Sequence, residues 1–364
     1  MAGEGHLTPG LRINNVIASI GNAMPSPLLR MIIPACVGLL CSLGGTAQAA
    51  GSPTLDAIRA RGSVVCAMQS ENVPFSLPDS KGIWRGMDVD SCRALAAAVF
   101  GDPSKIVIRP ITGQTRFPTL QGGDADVLFG STTWVTTRET SLGLVFAGAN
   151  YYSGQGFITR ATSGVKSVRE LNEATICVPP GSSTEVILQD YFRKAGGSIH
   201  PVIIDDPSQI IATFLSGRCD AYTRDVTGLA GFRNQQLHPD ELVILPEVIS
   251  MEPLGPYVRK GDDSWLDVVR WTQFALIAAE QMGVTAANAG QLATTADPDI
   301  RRLLGVEGSI GSSMGLDPQW AAHAITAVGN YGEMWQRNVA PLGLPRGLNR
   351  LWNAGGLMFS PPLR

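Results

Sequence analysis

The sequence predicts an α/β protein made of two successive units, each a largely parallel sheet flanked by helices. Three observations predict it. Short apolar runs of strand length alternate with stretches of helical period, the pattern of βαβ connections. The rhythm pauses at YYSGQGFITR (Tyr151–Arg160) and then restarts. After EPLGPYVRKGDDS, which begins at Glu252, the chain turns helical to its end.

Taken in order, GSVVCAMQ from Gly62 reads as the first strand. DVDSCRALAAAVF (Asp88–Phe100) reads as a helix whose apolar face carries Cys92, Leu95, Ala96 and Val99. Ile106–Ile108 is a strand, Phe117–Leu120 lies in a short helix, and Val127–Phe129 is a strand. In the second unit Thr175–Val178 is a strand, Thr184–Lys194 a helix, Val202–Ile204 a strand and Pro207–Ser216 a helix. Ala221–Thr223 and Leu242–Leu245 are its remaining strands. A long amphipathic helix covers Trp265–Met282, and Asp267, Arg270 and Glu280 within it argue against a membrane span.

The N-terminus follows a different logic. Arg30 precedes the apolar run MIIPACVGLLCSLGG, then TAQAA with a small-residue site at Ala47–Ala49. This is the make-up of a secretory signal peptide, so residues 1–50 are expected to be removed on export. Residues 1–23 are polar, which makes Met24 the expected start of translation. Cys41 follows Leu40 and Cys36 has almost no apolar run before it, so neither suits lipid attachment.

With 364 residues, 44% hydrophobic and 16% charged, the chain can bury one or two cores. A net charge of −3 gives no support for nucleic-acid binding, which usually leaves a basic stripe. The four histidines are scattered and no cysteine spacing fits zinc, so neither metal nor cofactor is expected. Cys66, Cys92, Cys177 and Cys219 remain after the signal segment. An even number in an oxidising compartment predicts two disulfides, with three connectivities open. Cys66–Cys92 and Cys177–Cys219 are expected, because each pair then lies within one unit. Loops of about 25 and 40 residues would contribute roughly 3–4 kcal/mol each.

Three stretches carry chemistry, each just past the carboxyl end of a strand, where open α/β sheets bind ligands. GSTTWVTTR (Gly130–Arg138) sets the hydroxyls of Ser131 and Thr133 on one side of an extended segment, with Arg138 a helical turn beyond. Neutral donors beside a guanidinium suit a carboxylate, and also suit a solvated capping turn. PPGSSTE (Pro179–Glu185) opens a helix through Ser182 and Glu185, leaving Ser183 without a capping task. Its free N–H groups favour an anion. In CDAYTRDVTG (Cys219–Gly228), Asp225 is either a helix N-cap or the counter-charge of a ligand ammonium. Together the three stretches describe a receptor for an α-amino acid.

The chain also resembles the periplasmic amino-acid-binding proteins of ABC importers, and within them the general L-amino-acid-binding branch. The resemblance runs from about Thr54 to Arg364 through RGMDVDSCRALAAAVFGDP, TSLGLVFAGANYYSGQGF, EPLGPYVRKGDD, AVGNYGEMWQRN and RGLNRLWNAGGLMFSPPLR. It implies two lobes joined by a two-stranded hinge, with extra C-terminal helices. Residues 51–155 plus 251–364 would form lobe one and 156–250 lobe two, with crossings at GQGFITR and near VISMEPLGP. It implies that Ser131, Thr133 and Arg138 hold the ligand α-carboxylate, that Ser183 adds a donor, and that Asp225 holds the α-ammonium. It implies an L-amino acid and ABC permease subunits as partners, a monomer, and a periplasmic location.

The chain departs from that branch where Phe129–Gly130–Ser131 replaces a Ser-Arg-Asn run and where Arg224 precedes Asp225. GSTT with Arg138, VPFS around Phe75 and GSSTEVIL from Gly181 instead resemble glutamate- and aspartate-binding proteins. There the residue matching Arg116 reaches the ligand side-chain carboxylate, and Gln69 stands where a second arginine is used. The ligand expected is therefore glutamate, aspartate or an amide of either. Arg224 is either a cleft residue or a solvated surface charge. Two alternatives share the fold: a dehydratase-like enzyme, for which Glu71 is the sole candidate acid, and a sensor that presents its ligand to a membrane receptor.

Overall fold

A computed structural model describes residues 51–364. The expected signal segment, with Met24, Cys36, Cys41 and the Ala47–Ala49 site, lies outside the described residues. In chain order the first part comprises α1 (Pro53–Arg61), β1 (Val64–Gln69), the ribbon β2 (Leu77–Pro78) and β3 (Trp84–Arg85), and α2 (Met87–Phe100). It continues with β4 (Ile106–Ile111), α3 (Arg116–Gln121), β5 (Val127–Leu128), α4 (Thr136–Thr140), β6 (Leu144–Phe146) and β7 (Tyr151–Ser153). The second part holds β8 (Gln155–Arg160), β9 (Thr175–Val178), α5 (Ser183–Lys194), β10 (His200–Ile203), α6 (Pro207–Leu215), β11 (Ala221–Asp225), α7 (Val226–Asn234) and β12 (Leu242–Ile244). The chain returns through β13 (Glu252–Leu254) and β14 (Tyr257–Arg259) to α8 (Asp263–Gln281) and shorter helices, of which α9 (Ala289–Leu292), α10 (Pro298–Leu303), α11 (Ile310–Ser313), α12 (Trp320–Val328) and α13 (Tyr331–Asn338) are α-helical.

Two five-stranded sheets result, in the orders β4-β1-β5-β14-β6 and β10-β9-β11-β8-β12. In each, four strands run in one direction and the fourth in order is reversed, β14 in one and β8 in the other. The two lobes thus repeat one topology. Period-two burial explains the strands. In β1, Val64, Cys66 and Met68 enter one core, and Val65 and Ala67 the other. In lobe two, Phe157, Ile176 and Val178 face one side, and Ile158 and Cys177 the opposite side.

YYSGQGFITR is resolved into two strands. Tyr151–Ser153 pairs antiparallel with Glu252–Leu254 as a ribbon between the sheets, and Gln155–Arg160 belongs to the second sheet. Gly154 separates them: a Cβ there would lie 2.2 Å from the Ser250 carbonyl oxygen. The two crossing strands therefore approach as closely as only glycine allows.

Disulfides join Cys66 to Cys92 and Cys177 to Cys219. Each lies within one lobe, the first tying α2 to β1. The C-terminal helices pack on lobe one, α12 lying along α2. Asp90 receives Arg337 (2.6 Å) and Asn338 (2.7 Å), and Glu280 receives Arg346 through both carboxylate oxygens, at 2.5 and 2.8 Å. Among the described residues no helix is long and apolar enough to cross a membrane.

Candidate functional site

Between the two sheets lies a cavity walled by Gln69, Arg116, Ser131 and Thr133 from lobe one and Ser183, Arg224 and Asp225 from lobe two, with Glu252 from the crossing strand. Seven of the nine ligand residues expected from sequence therefore share one wall. Glu71 is at the same cavity, exposed.

Phe75 and Arg138 are elsewhere. Phe75 is fully buried, its ring edge-on to Tyr151 at 5.0 Å, because the apolar ring completes the lobe-one core. Arg138 lies under the loop and donates from Nη1 to the Thr133 carbonyl oxygen, which also accepts from the Tyr257 hydroxyl at 2.9 Å. It holds the hydroxyl-bearing loop and is not on the cavity wall.

The Ser131 segment is not extended. Its φ is +46°, left-handed for a residue with a side chain. The Ser131 N–H donates to Asp88 Oδ2 at 3.2 Å, and its hydroxyl accepts from Asn72 Nδ2 at 3.0 Å. Asp88 sits in the first turn of α2, and burial pushes its carboxyl up to about 7, against the Ser131 N–H, which lowers it. The motif RGMDVD thus does two jobs: Asp88 shapes the site, and Asp90, two residues on, anchors the C-terminal helices.

Ser182 is the N-cap of α5, its hydroxyl accepting from Glu185 N at 3.1 Å, while Glu185 reaches back to the Gly181 N–H at 3.0 Å. Ser183 is left facing the cavity. Asp225 occupies the N-cap position of α7, yet its side chain makes no cap bond. Burial first and then the nearby Glu252 carboxylate raise its carboxyl to about 6, against the opposing pull of Arg224.

Two arginines face these carboxylates. Arg116 is buried, donates from Nη2 to the Gly181 carbonyl at 2.8 Å and has no partner at Nε. Burial, then the neighbouring Arg138 charge, pulls it down to about 9. Arg224 points into the cleft, donating from Nη2 to Asn72 Oδ1 across it, with its Nε also unpartnered. A Cβ on Gly228 would lie 2.4 Å from Arg224 Nε, so that glycine makes room for the guanidinium.

Sequence reasoning missed Asp88, Asn72 and Glu252. Glu252 is buried on β13, beside the loop that carries Thr133: Trp134 N donates to the Pro253 carbonyl at 2.8 Å. Its carboxylate accepts from the hydroxyls of Thr133 (2.7 Å) and Ser183 (2.8 Å) at Oε2 and of Ser250 (2.8 Å) at Oε1. The only signal in the sequence is an acidic residue inside the otherwise apolar MEPLGPYV. Among the described residues no cluster could hold a metal ion.

Residues 64–286 match the family described as bacterial extracellular solute-binding proteins, family 3. The chain is 46% identical to the general L-amino acid-binding periplasmic protein AapJ of Rhizobium johnstonii, over 94% of this chain and 100% of that one. It is 47% identical to the glutamate/glutamine/aspartate/asparagine-binding protein BztA of Rhodobacter capsulatus, over 87% of this chain and 95% of that one. A periplasmic binding protein of an ABC transporter from Brucella ovis, solved with glutathione bound, superposes with a TM-score of 0.84 at 46% identity, over 86% of this chain and 100% of that one.

Proposed function

The chain belongs to the bacterial extracellular solute-binding proteins, family 3, and on that premise we propose that its cleft captures an acidic L-amino acid, or an amide of one, for an ABC importer. It is a binding protein and not an enzyme, as are the relatives that it matches along nearly its whole length. The reading places it in the periplasm as a monomer that delivers its ligand to the permease subunits.

One observation carries the ligand class. Arg116 and Arg224, each with an unpartnered Nε, share a cavity with Asp225, a half-buried carboxylate whose protonation desolvation favours. With the Glu252 carboxylate already met by three hydroxyls, two guanidinium groups and the Asp225 carboxylate complement a molecule with two carboxylates and one ammonium. Buried charges are stable only when paired, so the matching ligand gains from both ends. In this reading Asp225 takes the α-ammonium. Ser131, Thr133 and Ser183 line the α-carboxylate end, and Arg138 supports Thr133 from beneath. Arg116 takes the side-chain carboxylate, Arg224 closes the second lobe over it, and Gln69 borders the same end. Ligand contacts from both lobes favour the closed state.

The test is calorimetric titration of protein freed of co-purifying ligand, using L-glutamate, L-aspartate, L-glutamine, L-alanine, L-arginine and glutathione. Glutamate is expected to bind more tightly than alanine. Arg116→Ala should weaken glutamate at least about tenfold more than alanine, the scale of one lost charge-assisted hydrogen bond. Equal binding across classes would replace the acidic preference with a general one, and tightest binding of glutathione would move it to γ-glutamyl peptides. No binding of any of them would refute the amino-acid reading.

A further inference from the structure

The Glu252 carboxylate stands where a ligand carboxylate is expected. Its Oε2 accepts from Thr133 of lobe one at 2.7 Å and from Ser183 of lobe two at 2.8 Å, and those two hydroxyl oxygens are 2.9 Å apart. A hydroxyl has one proton to give. While Thr133 and Ser183 give theirs to Glu252, they offer an incoming carboxylate lone pairs only, and lone pairs repel it. Glu252 is carried by neither lobe's sheet but by β13, half of the crossing ribbon. Its other oxygen is fixed by Ser250, two residues before it, whose hydroxyl in turn accepts from Gln155 N at 3.0 Å. The carboxylate is thus buried, held at both oxygens and attached to the ribbon where the chain crosses between the lobes.

We propose that Glu252 is a built-in stand-in for the ligand carboxylate, a latch that bridges the two lobes through Thr133 and Ser183 and must be displaced for a ligand carboxylate to bind there. The proposal rests on the reading that those hydroxyls receive a ligand carboxylate. Tethered on β13, the Glu252 group competes at a high effective concentration, so the measured affinity is lowered by the fraction of molecules in which the latch is shut. The latch also sets a threshold on specificity. A ligand has to bring a carboxylate able to replace one already in place, and a simple amine or a neutral solute gains nothing by opening it.

The test compares wild type with Glu252→Gln and Glu252→Ala in two measurements. The first is small-angle X-ray scattering without ligand, which reads the separation of the lobes and needs no knowledge of the ligand. The variants should be more expanded than wild type. The second is titration with L-glutamate, which the variants should bind at least about tenfold more tightly, the scale of one hydrogen bond to a charged group no longer displaced. Glu252→Asp, whose shorter carboxylate falls short of one or both hydroxyls, should behave as the glutamine variant does and guards against misfolding of either. Weaker glutamate binding in all three variants would overturn the latch and make Glu252 a counter-charge for the ligand ammonium. Unchanged scattering and unchanged affinity would overturn it in favour of a purely structural carboxylate. If wild type binds no amino acid yet the variants still expand, the proposed ligand class fails and the latch stands.

Discussion

Replacing Asp225 with asparagine should move stability and affinity in opposite directions. The Asp225 carboxyl is raised from 3.8 to about 6, chiefly by burial. At about 1.4 kcal/mol per pH unit, keeping it ionised at pH 7 costs the ligand-free fold roughly 3 kcal/mol. Asparagine fills the same volume without that charge, so the variant should melt a few degrees higher, about 2–6 °C. Binding should suffer, because the ligand ammonium loses a buried counter-ion worth about 2–5 kcal/mol, a fall of at least about thirtyfold. The pH dependence supplies a second reading. The folded carboxyl takes up its proton near 6 and the unfolded one near 3.8. Its contribution to ligand-free stability is therefore fully present below 3.8 and lost as pH rises through about 6. The ammonium needs the ionised form, so from pH 7 to pH 5 wild-type affinity should fall about tenfold, and the variant's should not. Differential scanning fluorimetry and calorimetry at three pH values suffice. A variant that melts lower and binds as well as wild type would refute the reasoning and leave Asp225 as a structural residue at the start of a helix.

Three further outcomes are expected. Cys177→Ser opens a loop of 42 residues, and the chain-entropy relation puts the loss at about 4 kcal/mol; a denaturant midpoint within error of wild type would show that the bond adds nothing. Gly228→Ala drives a methyl group into Arg224, whose side chain can move, so glutamate affinity should fall while the melting temperature stays within about 1 °C; unchanged affinity would remove Arg224 from the site. Gly154→Ala sets a methyl against the Ser250 carbonyl, which belongs to the backbone and cannot swing aside, and should destabilise by more than about 2 kcal/mol by chemical denaturation.

Where burial alternates along a strand, the sequence was readable: the strand and helix runs of both lobes sit within a few residues of their expected places, because period-two and helical patterns respond to a local core. The same holds for Ser182 and Glu185, whose capping geometry depends on neighbours only. What escaped depends on partners distant in the chain. YYSGQGFITR reads as one pause because the two strands inside it pair with residues 62 to 103 positions away. Ser131 reads as extended until Asp88, 43 positions earlier, takes its N–H. Arg138 looks like a ligand arginine because its spacing from Thr133 suits one, but the backbone carbonyl it reaches is visible only in three dimensions. Glu252 shows the limit most clearly: nothing about a lone glutamate before a proline indicates that its carboxylate meets hydroxyls 119 and 69 positions away.

Arg116 of the first lobe donates to the Gly181 carbonyl of the second, and Arg224 of the second donates to Asn72 of the first. One contact across a cleft fixes a distance and still lets the lobes pivot about it. Two, running in opposite directions from different elements, also remove the pivot, so the angle between the lobes is set together with their separation. A ligand that leaves either pair unmade would be held between lobes twisted out of register, and the outer face they present together would differ from that of the correctly loaded protein. If this pair of arginines sorts ligands inside the cleft as proposed, it also writes the result on the outside, where a permease could read whether the cargo is the right one without touching it.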